Sequence, residues 1–218
     1  MLLLLHKQAW ISMQSIEKKI EQYILRRKRG KIYFTNDFQD LGSDGAVRIA
    51  LMRLINNKIL LRLARGIFYY PIIDKELGIN LLPSIEDVAE ALAKRNKARI
   101  IPTGDYAKNK LGLSTQVPAN VVFLTDTTPR KVKIGKSKIT FKKASSKNFA
   151  YKSYITMLVA FALSEIGKDL VTAEDIAIIT PALLKEDKSK IVKDLPLMPA
   201  WERNIVKNII NGSNKELA

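Results

Sequence analysis

Residues 15–71 read SIEKKIEQYILRRKRGKIYFTNDFQDLGSDGAVRIALMRLINNKILLRLARGIFYYP, and this stretch decides the fold of the N-terminal part of the chain. Apolar residues recur at helical spacing after Ser15, which predicts an amphipathic helix that ends at Gly30. The basic run at residues 26–29 is then expected in its last turn, where the helix dipole favours positive charge. Residues 31–34 are aromatic and β-branched, which predicts a short strand.

Two more helices are predicted after this strand. Thr35 is expected to cap a brief helix that buries Phe38 and Leu41 and ends at Gly42. Ser43 is expected to cap a third helix, whose apolar stripe faces the core. The stripe consists of Val47, Ala50, Leu51 and Leu54.

Two strand-like runs, residues 59–64 and 67–70, follow the third helix and are joined at Arg65–Gly66, which indicates a β-hairpin. The order helix, strand, helix, helix, hairpin predicts a winged helix-turn-helix domain over residues 13–75. Such a fold normally binds DNA with its third helix in the major groove, while the hairpin (the wing) touches the backbone or the minor groove.

The third helix carries the candidate DNA contacts on the side opposite its apolar stripe. Arg48 and Arg53 flank this side, and either can reach guanine edges or phosphates. Gly45 allows close approach of the helix N-terminus to phosphate. Ile49 and Met52 are exposed there, and they either touch thymine methyl groups or pack against the rest of the chain. With the two wing arginines, the predicted DNA-binding residues are Ser43, Gly45, Arg48, Met52, Arg53, Arg62 and Arg65. Winged helices also serve as protein-docking modules, which is the alternative role for this surface.

The charge of the chain is strongly uneven. The whole chain carries a formal net charge of +16 in 218 residues. Residues 1–75 hold 14 Lys and Arg against 6 Asp and Glu (+8), residues 76–149 again hold 14 against 6 (+8), and residues 150–218 hold 9 against 9 (zero). A polyanionic partner is therefore expected on the first two thirds of the chain.

A second domain, α+β with a helical C-terminal part, is predicted over residues 80–212. It follows a connector and begins with a helix capped by Ser84. Strands are predicted over residues 99–102 and 121–125, with a helix over 106–111 between them. From residue 151 on the pattern predicts only helices, over residues 154–165, 173–179, 181–185, 188–193 and 200–210. The whole chain is thus predicted to be an α+β protein.

Residues 130–142 form a predicted hairpin with one apolar and one cationic face. The apolar positions alternate with the basic ones, which include Arg130, Lys131, Lys133, Lys138 and Lys142. A charged strand face is commonly just the solvated side of a sheet. The density of positive charge makes a nucleic-acid-facing surface the alternative.

The sequence lacks the residues that several classes of enzyme and binding site require. The chain has no cysteine, which removes disulfides and thiolate chemistry, and its single histidine is His6. Gly135-Lys136-Ser137 resembles the end of a P-loop, but the glycine that motif needs at position 130 is arginine. We therefore predict a binding protein, not an enzyme, without metal or cofactor.

Residues 1–12, MLLLLHKQAWIS, are too short for a signal sequence, and no run in the chain has the length of a membrane span. They are interpreted as a frayed terminus or as the product of an upstream start codon, with Met13 as the natural beginning. The cytoplasm is the predicted location.

The sequence resembles the AbiE-type antitoxins of bacterial type IV toxin–antitoxin systems. The resemblance lies in VRIALMRLINNKILLRLARGIFYYP (47–71), in PTGDYAKNKLGLSTQVPANVVFLTD (102–126) and in LVTAEDIAIITPALLKEDKSKIVKDLPLMPAW (170–201). One departure is Lys58, where the family pattern has glycine. Asn57 is expected to take the left-handed backbone conformation instead.

The resemblance implies an autorepressor that binds inverted repeats upstream of its own operon, and an antitoxin that counteracts a nucleotidyltransferase-like toxin in phage defence by abortive infection. Direct contact with the toxin is not required in such systems. A dimer on the DNA is one alternative for the oligomeric state. The alternative function is an RNA-binding protein that shields the RNA substrate of the toxin through the basic surface at residues 130–147.

Overall fold

A computed structural model of the chain describes residues 15–116 and 118–212. It confirms an α+β protein. The contacts within it form two compact units, the first ending at Ala91 and the second beginning at Leu92. The interpretation of Met13 as the natural start lies outside the described residues. None of the helices in the described part of the chain has the length and apolar character of a membrane span.

The first unit is built around one antiparallel sheet of three strands in the order β1–β3–β2. Its elements are α1 (Ile16–Leu25), β1 (Ile32–Phe34), a 3₁₀ helix (Thr35–Leu41), α2 (Asp44–Asn56), β2 (Leu61–Ala64) and β3 (Ile67–Tyr69). All four residues of the apolar stripe on α2 are buried, as predicted. They share a core with Ile20 and Ile24 of α1, with Tyr33 of β1 and with Phe38.

The end of α1 differs from the prediction. The helix stops at Leu25, so the basic run at residues 26–29 lies beyond it and not in its last turn. Gly30 has a φ of +90°, and its N–H donates to the carbonyl of Tyr70 over 2.7 Å. The chain leaves the helix early because these residues must turn to join the sheet.

The 3₁₀ helix also begins one residue earlier than predicted, since Phe34 and not Thr35 precedes its first turn. The backbone N–H of Phe34 donates to the carboxylate of Asp37 over 2.8 Å, which caps the turn. Phe38 is fully buried, and Leu41 packs against the same core.

The residue that closes α2 is Lys58, which corrects the expectation for Asn57. Lys58 has a φ of 59°, whereas Asn57 has a φ of −78°. The N–H of Ile59 donates to the carbonyl of Leu54 over 3.0 Å, the 6→1 bond of a Schellman motif. The lysine therefore takes the left-handed position that glycine would fill without steric cost.

The predicted connector after Pro71 contains a second hairpin. Its strands are β4 (Ile72–Ile73) and β5 (Asn80–Leu81), paired antiparallel. The next element, α3 (Ile85–Arg95), is capped by the Ser84 hydroxyl, which accepts from the N–H of Asp87 over 3.0 Å. The division between the two units falls inside α3, whereas the sequence-based boundary lies before it.

The second unit contains a four-stranded sheet in the order β6–β7–β9–β8. Its elements are β6 (Ile100–Thr103), α4 (Asp105–Leu111), β7 (Asn120–Thr125), β8 (Arg130–Ile134) and β9 (Ser137–Lys143). β7 and β9 run parallel, and the other two pairs are antiparallel. Phe123 stacks on Phe141, and Tyr106 packs edge-on against Phe123, which forms the aromatic core on one face of this sheet.

Four helices complete the second unit: α5 (Tyr154–Ile166), α6 (Ala173–Leu184), α7 (Lys188–Asp194) and α8 (Ala200–Ile210). α6 is one continuous helix, so the predicted break before Pro181 is wrong. Proline in a helix interior removes one backbone donor and its ring crowds the carbonyl four residues earlier, yet the helix continues through Pro181 to Leu184. Thr180 donates its hydroxyl to the carbonyl of Ile176 over 2.7 Å. Val206 and Ile209 of α8 are buried in the helical core.

Candidate nucleic-acid interface

The side of α2 opposite the core is exposed over its full length, as the helical spacing predicts. Gly45, Arg48, Met52 and Arg53 are all exposed, and Ser43 is exposed just before the first turn. Among the hydrogen bonds of the described residues, none joins the Ser43 hydroxyl to an amide of this helix. The free amides at this end of the helix form an electropositive site.

A cavity of about 500 Å³ separates α2 from the β2–β3 hairpin. It brings together four of the predicted residues, Arg48 and Met52 from α2 with Arg62 and Arg65 from the hairpin. The lining residues are Thr35, Asn36, Gln39, Asp44, Arg48, Leu51, Met52, Ile55, Arg62, Arg65, Gly66 and Phe68. We call this cavity the arginine groove.

The two arginines that flank α2 have different surroundings. Arg48 lines the arginine groove and lies 3.9 Å from the carboxylate of Asp44, in a pair that is largely exposed on both sides. Such an exposed pair contributes little stability and leaves the guanidinium accessible. Arg53 instead pairs at 3.2 Å with Glu17 of α1 and does not line the groove. The structure therefore separates Arg53 from the other three arginines.

The hairpin that carries Arg62 and Arg65 is fixed against the 3₁₀ helix. Its turn residue Gly66 has a φ of 74°, and the Gly66 carbonyl accepts from the N–H of Thr35 over 3.3 Å. A Cβ on Gly66 would lie 3.3 Å from the Thr35 hydroxyl, which is tighter than most such contacts. The turn of the hairpin is thus bonded to the first residue of the 3₁₀ helix, which also lines the arginine groove.

Sequence reasoning did not identify the polar residues contributed by the 3₁₀ helix. Asn36 and Gln39 line the arginine groove beside the arginines. Side-chain amides can bond both phosphates and base edges. The available signal was their spacing of three residues, which places both on one side of a 3₁₀ helix.

A second basic surface lies on the sheet of the other unit. Lys133 of β8 is directly opposite Lys138 of β9, and Lys131 is opposite Thr140. Lys142 follows two residues after Thr140, so the strand alternation places it on the same side. All four lysines are exposed, and we call this surface the lysine face. Two like charges directly opposite each other repel, which an anionic ligand would relieve.

Arg130 does not belong to the lysine face, contrary to the sequence-based grouping. It is paired in register with Phe141, which lies on the opposite, apolar side of the sheet. Its guanidinium lies 5.0 Å from the centre of the Phe141 ring and donates to the carbonyl of Leu92 over 3.2 Å. Burial lowers the pKa of Arg130, with a further contribution from the nearby charge of Arg95.

The chain matches a family model over residues 19–191, most of its length, and the model is described as a family of unknown function, DUF6088. The chain belongs to this family. No curated protein matches it at a significant level. Among solved structures it is similar to that of the RV2827C protein from Mycobacterium tuberculosis, with 14% sequence identity and a TM-score of 0.48. That alignment covers 92% of this chain and 78% of the other.

C-terminal to the DUF6088 match, two buried acids join elements of the helical region to one another. Asp194 of α7 is fully buried and accepts from the backbone N–H groups of Lys152 and Ser153, over 2.7 and 2.9 Å. Glu202 of α8 is 1% exposed and accepts from the Ser164 hydroxyl over 2.5 Å. Burial raises the pKa of Glu202. Across residues 15–116 and 118–212, no three His, Cys, Asp or Glu side chains are grouped to hold a metal ion.

Proposed function

We propose that the first unit is a winged helix-turn-helix that binds double-stranded DNA. The observed order of helix, strand, 3₁₀ helix, helix and hairpin, with a sheet in the order β1–β3–β2, supports this interpretation. In it α2 is the recognition helix, and the β2–β3 hairpin is the wing. The exposed arginines on both elements supply the positive charge that a duplex requires.

The arginine groove is the observation that carries the proposal. Arg48 enters it from α2, while Arg62 and Arg65 enter it from the hairpin. These elements are separated in sequence, and the fold alone brings their charges to one cavity. In this proposal Arg48 contacts base edges from the recognition helix. Arg65, beside the turn of the hairpin, contacts phosphate.

We further propose that the chain is a cytoplasmic transcriptional autorepressor and antitoxin of a type IV toxin–antitoxin operon. This part rests on the resemblance to AbiE-type antitoxins. The resemblance implies that the DNA ligand consists of inverted repeats upstream of the chain's own genes. Its functional partner is a nucleotidyltransferase-like toxin, which it counteracts without any need for direct contact.

The DNA-binding proposal is tested with the duplex upstream of the chain's own gene and a scrambled duplex of equal length. A bidentate arginine–guanine contact contributes about 1–3 kcal/mol of discrimination, so Arg48→Ala is expected to weaken binding to the upstream duplex far more than to the scrambled one. Arg65→Ala is expected to weaken both equally and to lower the salt slope by about one. Anisotropy titrations across a salt series measure both quantities.

Lys193→Ala is the matched control, since it removes one exposed charge from the neutral C-terminal third of the chain. It should leave both affinities unchanged. If Arg48→Ala weakens binding to the two duplexes equally, Arg48 contacts phosphate, and another residue recognises the base sequence. If neither arginine variant differs from the control, the DNA-binding proposal is wrong.

The antitoxin proposal has its own test in the neighbouring open reading frames. Expression of an adjacent nucleotidyltransferase-like gene should arrest growth, and co-expression of this chain should restore it. Co-purification of the two proteins is not expected. If growth is not restored although operator binding is intact, the antitoxin role is wrong and the repressor role stands.

The lysine face supports a second candidate function, binding of RNA in a way that shields the substrate of the toxin. Four exposed lysines on one side of a sheet make a surface suited to a phosphate backbone. Replacing Lys131, Lys133, Lys138 and Lys142 with glutamine should weaken RNA binding and reduce the salt slope. On a single strand the slope falls by up to about 0.7 for each phosphate that the variant no longer neutralises.

A control with the same change in net charge distinguishes a binding surface from a general effect of charge. The exposed lysines Lys185, Lys190, Lys193 and Lys207 lie in the neutral C-terminal third, and their glutamine variant also removes four charges. Equal weakening by the two quadruple variants would mean that the lysine face is only solvated.

A further inference from the structure

The β4–β5 hairpin presents the largest group of exposed apolar side chains within a single stretch of the described chain. Leu77 and Leu82 are each 70% exposed. The other members are Ile72, Ile73, Ile79 and Leu81. Ile72 and Ile73 are adjacent in β4 and point to opposite faces, so these side chains are divided between the two faces of the hairpin. We call this surface the apolar hairpin.

Hydrogen bonds within its turn fix the conformation of the apolar hairpin. The N–H of Asp74 donates to the carbonyl of Ile79 over 2.9 Å, and the Asp74 carboxylate accepts from the N–H groups of Glu76 and Leu77. Gly78 turns with a φ of 65° and donates to the Asp74 carbonyl over 2.9 Å. These bonds hold the turn in one conformation, so the apolar side chains are presented in a fixed arrangement.

The base of the apolar hairpin is anchored beside the basic run at residues 26–29. Arg29 donates to the carbonyl of Pro71 over 2.9 Å, and its guanidinium lies 4.5 Å from the centre of the Tyr70 ring. A Cβ on Gly30 would lie 3.1 Å from a side-chain carbon of Ile72. The surface therefore has a basic base, an apolar middle and a turn in which two acids, Asp74 and Glu76, flank Lys75.

We propose that the apolar hairpin is the surface through which two copies of this chain form a two-fold dimer. A two-fold interface buries the same patch on both copies, so the patch must be complementary to itself. Opposite charges at its two ends meet this condition, because antiparallel apposition places the acidic turn of one copy against the basic base of the other.

Other occupants fit the same surface less well. A nucleic acid needs cationic and hydrogen-bonding groups, whereas this stretch contains two acids and one lysine among its turn residues. On a chain of charge +16, two copies repel each other through most surfaces. The apolar hairpin is a place where groups of opposite charge on the two copies can meet. No base or phosphate contact enters this inference, which is independent of the proposed function.

Sedimentation velocity of the full chain without nucleic acid tests the proposal, over a concentration series from about 1 to 100 µM, a range in which weak and intermediate dimers dissociate. The wild-type chain should shift from monomer to dimer. Leu77→Gln with Leu82→Gln should raise the dissociation constant at least tenfold. The matched control is Leu170→Gln with Leu184→Gln, since these side chains are 71% and 61% exposed in the other unit. It should behave as the wild type.

A charge exchange tests the antiparallel arrangement. Glu76→Lys should weaken the dimer severalfold, and adding Arg26→Glu in the same chain should restore it. Thermal melting verifies that every variant is folded. A chain that is monomeric at all concentrations overturns the proposal, as does a dimer insensitive to the Leu77 and Leu82 changes. If the chain dimerises only after residues 1–14 are removed, that segment and not a second copy binds the apolar hairpin in the full chain.

Discussion

Gly42, between the 3₁₀ helix and α2, is a glycine for a different reason from the one its sequence context predicts. The sequence predicts a helix-ending glycine, which usually has a positive φ. Its φ is 170°, an extended conformation that any residue adopts. A Cβ at this position would instead collide with the side chain of Ile16. The glycine allows close approach between the start of α1 and this segment.

We expect Gly42→Ala to lower the free energy of unfolding by about 1–3 kcal/mol, the usual cost of overpacking. Urea unfolding followed by circular dichroism measures the change. Shortening the opposing side chain with Ile16→Val should reduce the cost of Gly42→Ala, because Val lacks the terminal methyl group. Equal cost in both backgrounds would exclude this contact as the cause.

Gly45, three residues later, is the matched control. It lies in the first turn of α2, with no heavy atom within 4 Å of a Cβ built on it. Gly45→Ala should therefore be neutral or stabilising by up to about 0.5–1 kcal/mol, because alanine loses less backbone entropy on folding. The same variant would weaken binding to a duplex if the helix N-terminus approaches phosphate as proposed.

Lys58 closes α2 in the left-handed conformation, and Lys97 does the same after α3 with a φ of 51°. A side chain in this region costs about 1–3 kcal/mol, and glycine recovers most of that cost but loses backbone entropy. We expect Lys58→Gly and Lys97→Gly each to raise the free energy of unfolding by about 0.5–1 kcal/mol. Lys94→Gly, inside α3, should lower it by about 1 kcal/mol, which verifies that the gain is specific to positive φ.

The hairpin formed by β8 and β9 has two faces with different roles, and adjacent residues of β8 test them. Arg130 bonds Leu92 and lies over Phe141, whereas Lys131 is exposed on the lysine face. Arg130→Gln should lower the free energy of unfolding by about 1.5–3 kcal/mol, since it removes a hydrogen bond of a charged group. Lys131→Gln should change it by less than about 0.5 kcal/mol. Chemical denaturation of the two variants gives the comparison.

The binding measurement should give the reverse order. Lys131→Gln should weaken RNA binding if the lysine face contacts phosphate, and Arg130→Gln should leave it unchanged in folded protein. If Arg130→Gln strongly weakens RNA binding and Lys131→Gln does not, Arg130 belongs to the nucleic-acid-binding surface after all.

Element type could be predicted from the sequence wherever one face is buried. The stripe Val47, Ala50, Leu51 and Leu54 is buried as its spacing predicts, because helical periodicity decides which side chains face a core. Tertiary contacts determine where some elements end, and these contacts cannot be predicted from local sequence patterns. α1 ends at Leu25 because the chain must reach β3, and helical propensity contains no such information. The β4–β5 hairpin has exposed apolar residues, so no burial pattern indicates it.

The candidate site shows the same division. Helical geometry predicts that Arg48 and Arg53 flank one exposed side of α2, and both are exposed there. It could not predict that Arg53 pairs with Glu17, which is 36 residues away in sequence. Strand alternation likewise places the four lysines on one face. The sequence-based grouping fails for Arg130, because the register places it beside Phe141.

The stability of the whole chain should depend on pH through Glu202. Burial raises its pKa above the ordinary value of 4.5, so the folded state binds its proton more tightly than the unfolded state. The stability this contributes is present below the unfolded pKa and is lost as pH rises through the raised one. Glu202→Gln mimics the protonated acid and should remove the loss.

Unfolding free energies of wild type and Glu202→Gln, measured from about pH 4 to about pH 7, give the test. Their difference should change in favour of the variant as pH rises. Other acids oppose this trend, since the hydrogen bond with Arg99 lowers the pKa of Asp126 and the Ser153 hydroxyl lowers the pKa of Glu186. Their effects are common to both proteins and cancel in the difference. A difference independent of pH would contradict the assignment.

The bond between Thr35 and Gly66 has a consequence for the kinetics of complex formation. It ties the turn of the β2–β3 hairpin to the 3₁₀ helix, so the hairpin wall of the arginine groove is preorganised in the free chain. If the groove receives a duplex as proposed, little ordering remains to be done at encounter. Association should then be fast and steered by charge, approaching about 10⁸ M⁻¹s⁻¹ at low salt, and complexes of different sequence should differ mainly in their lifetimes.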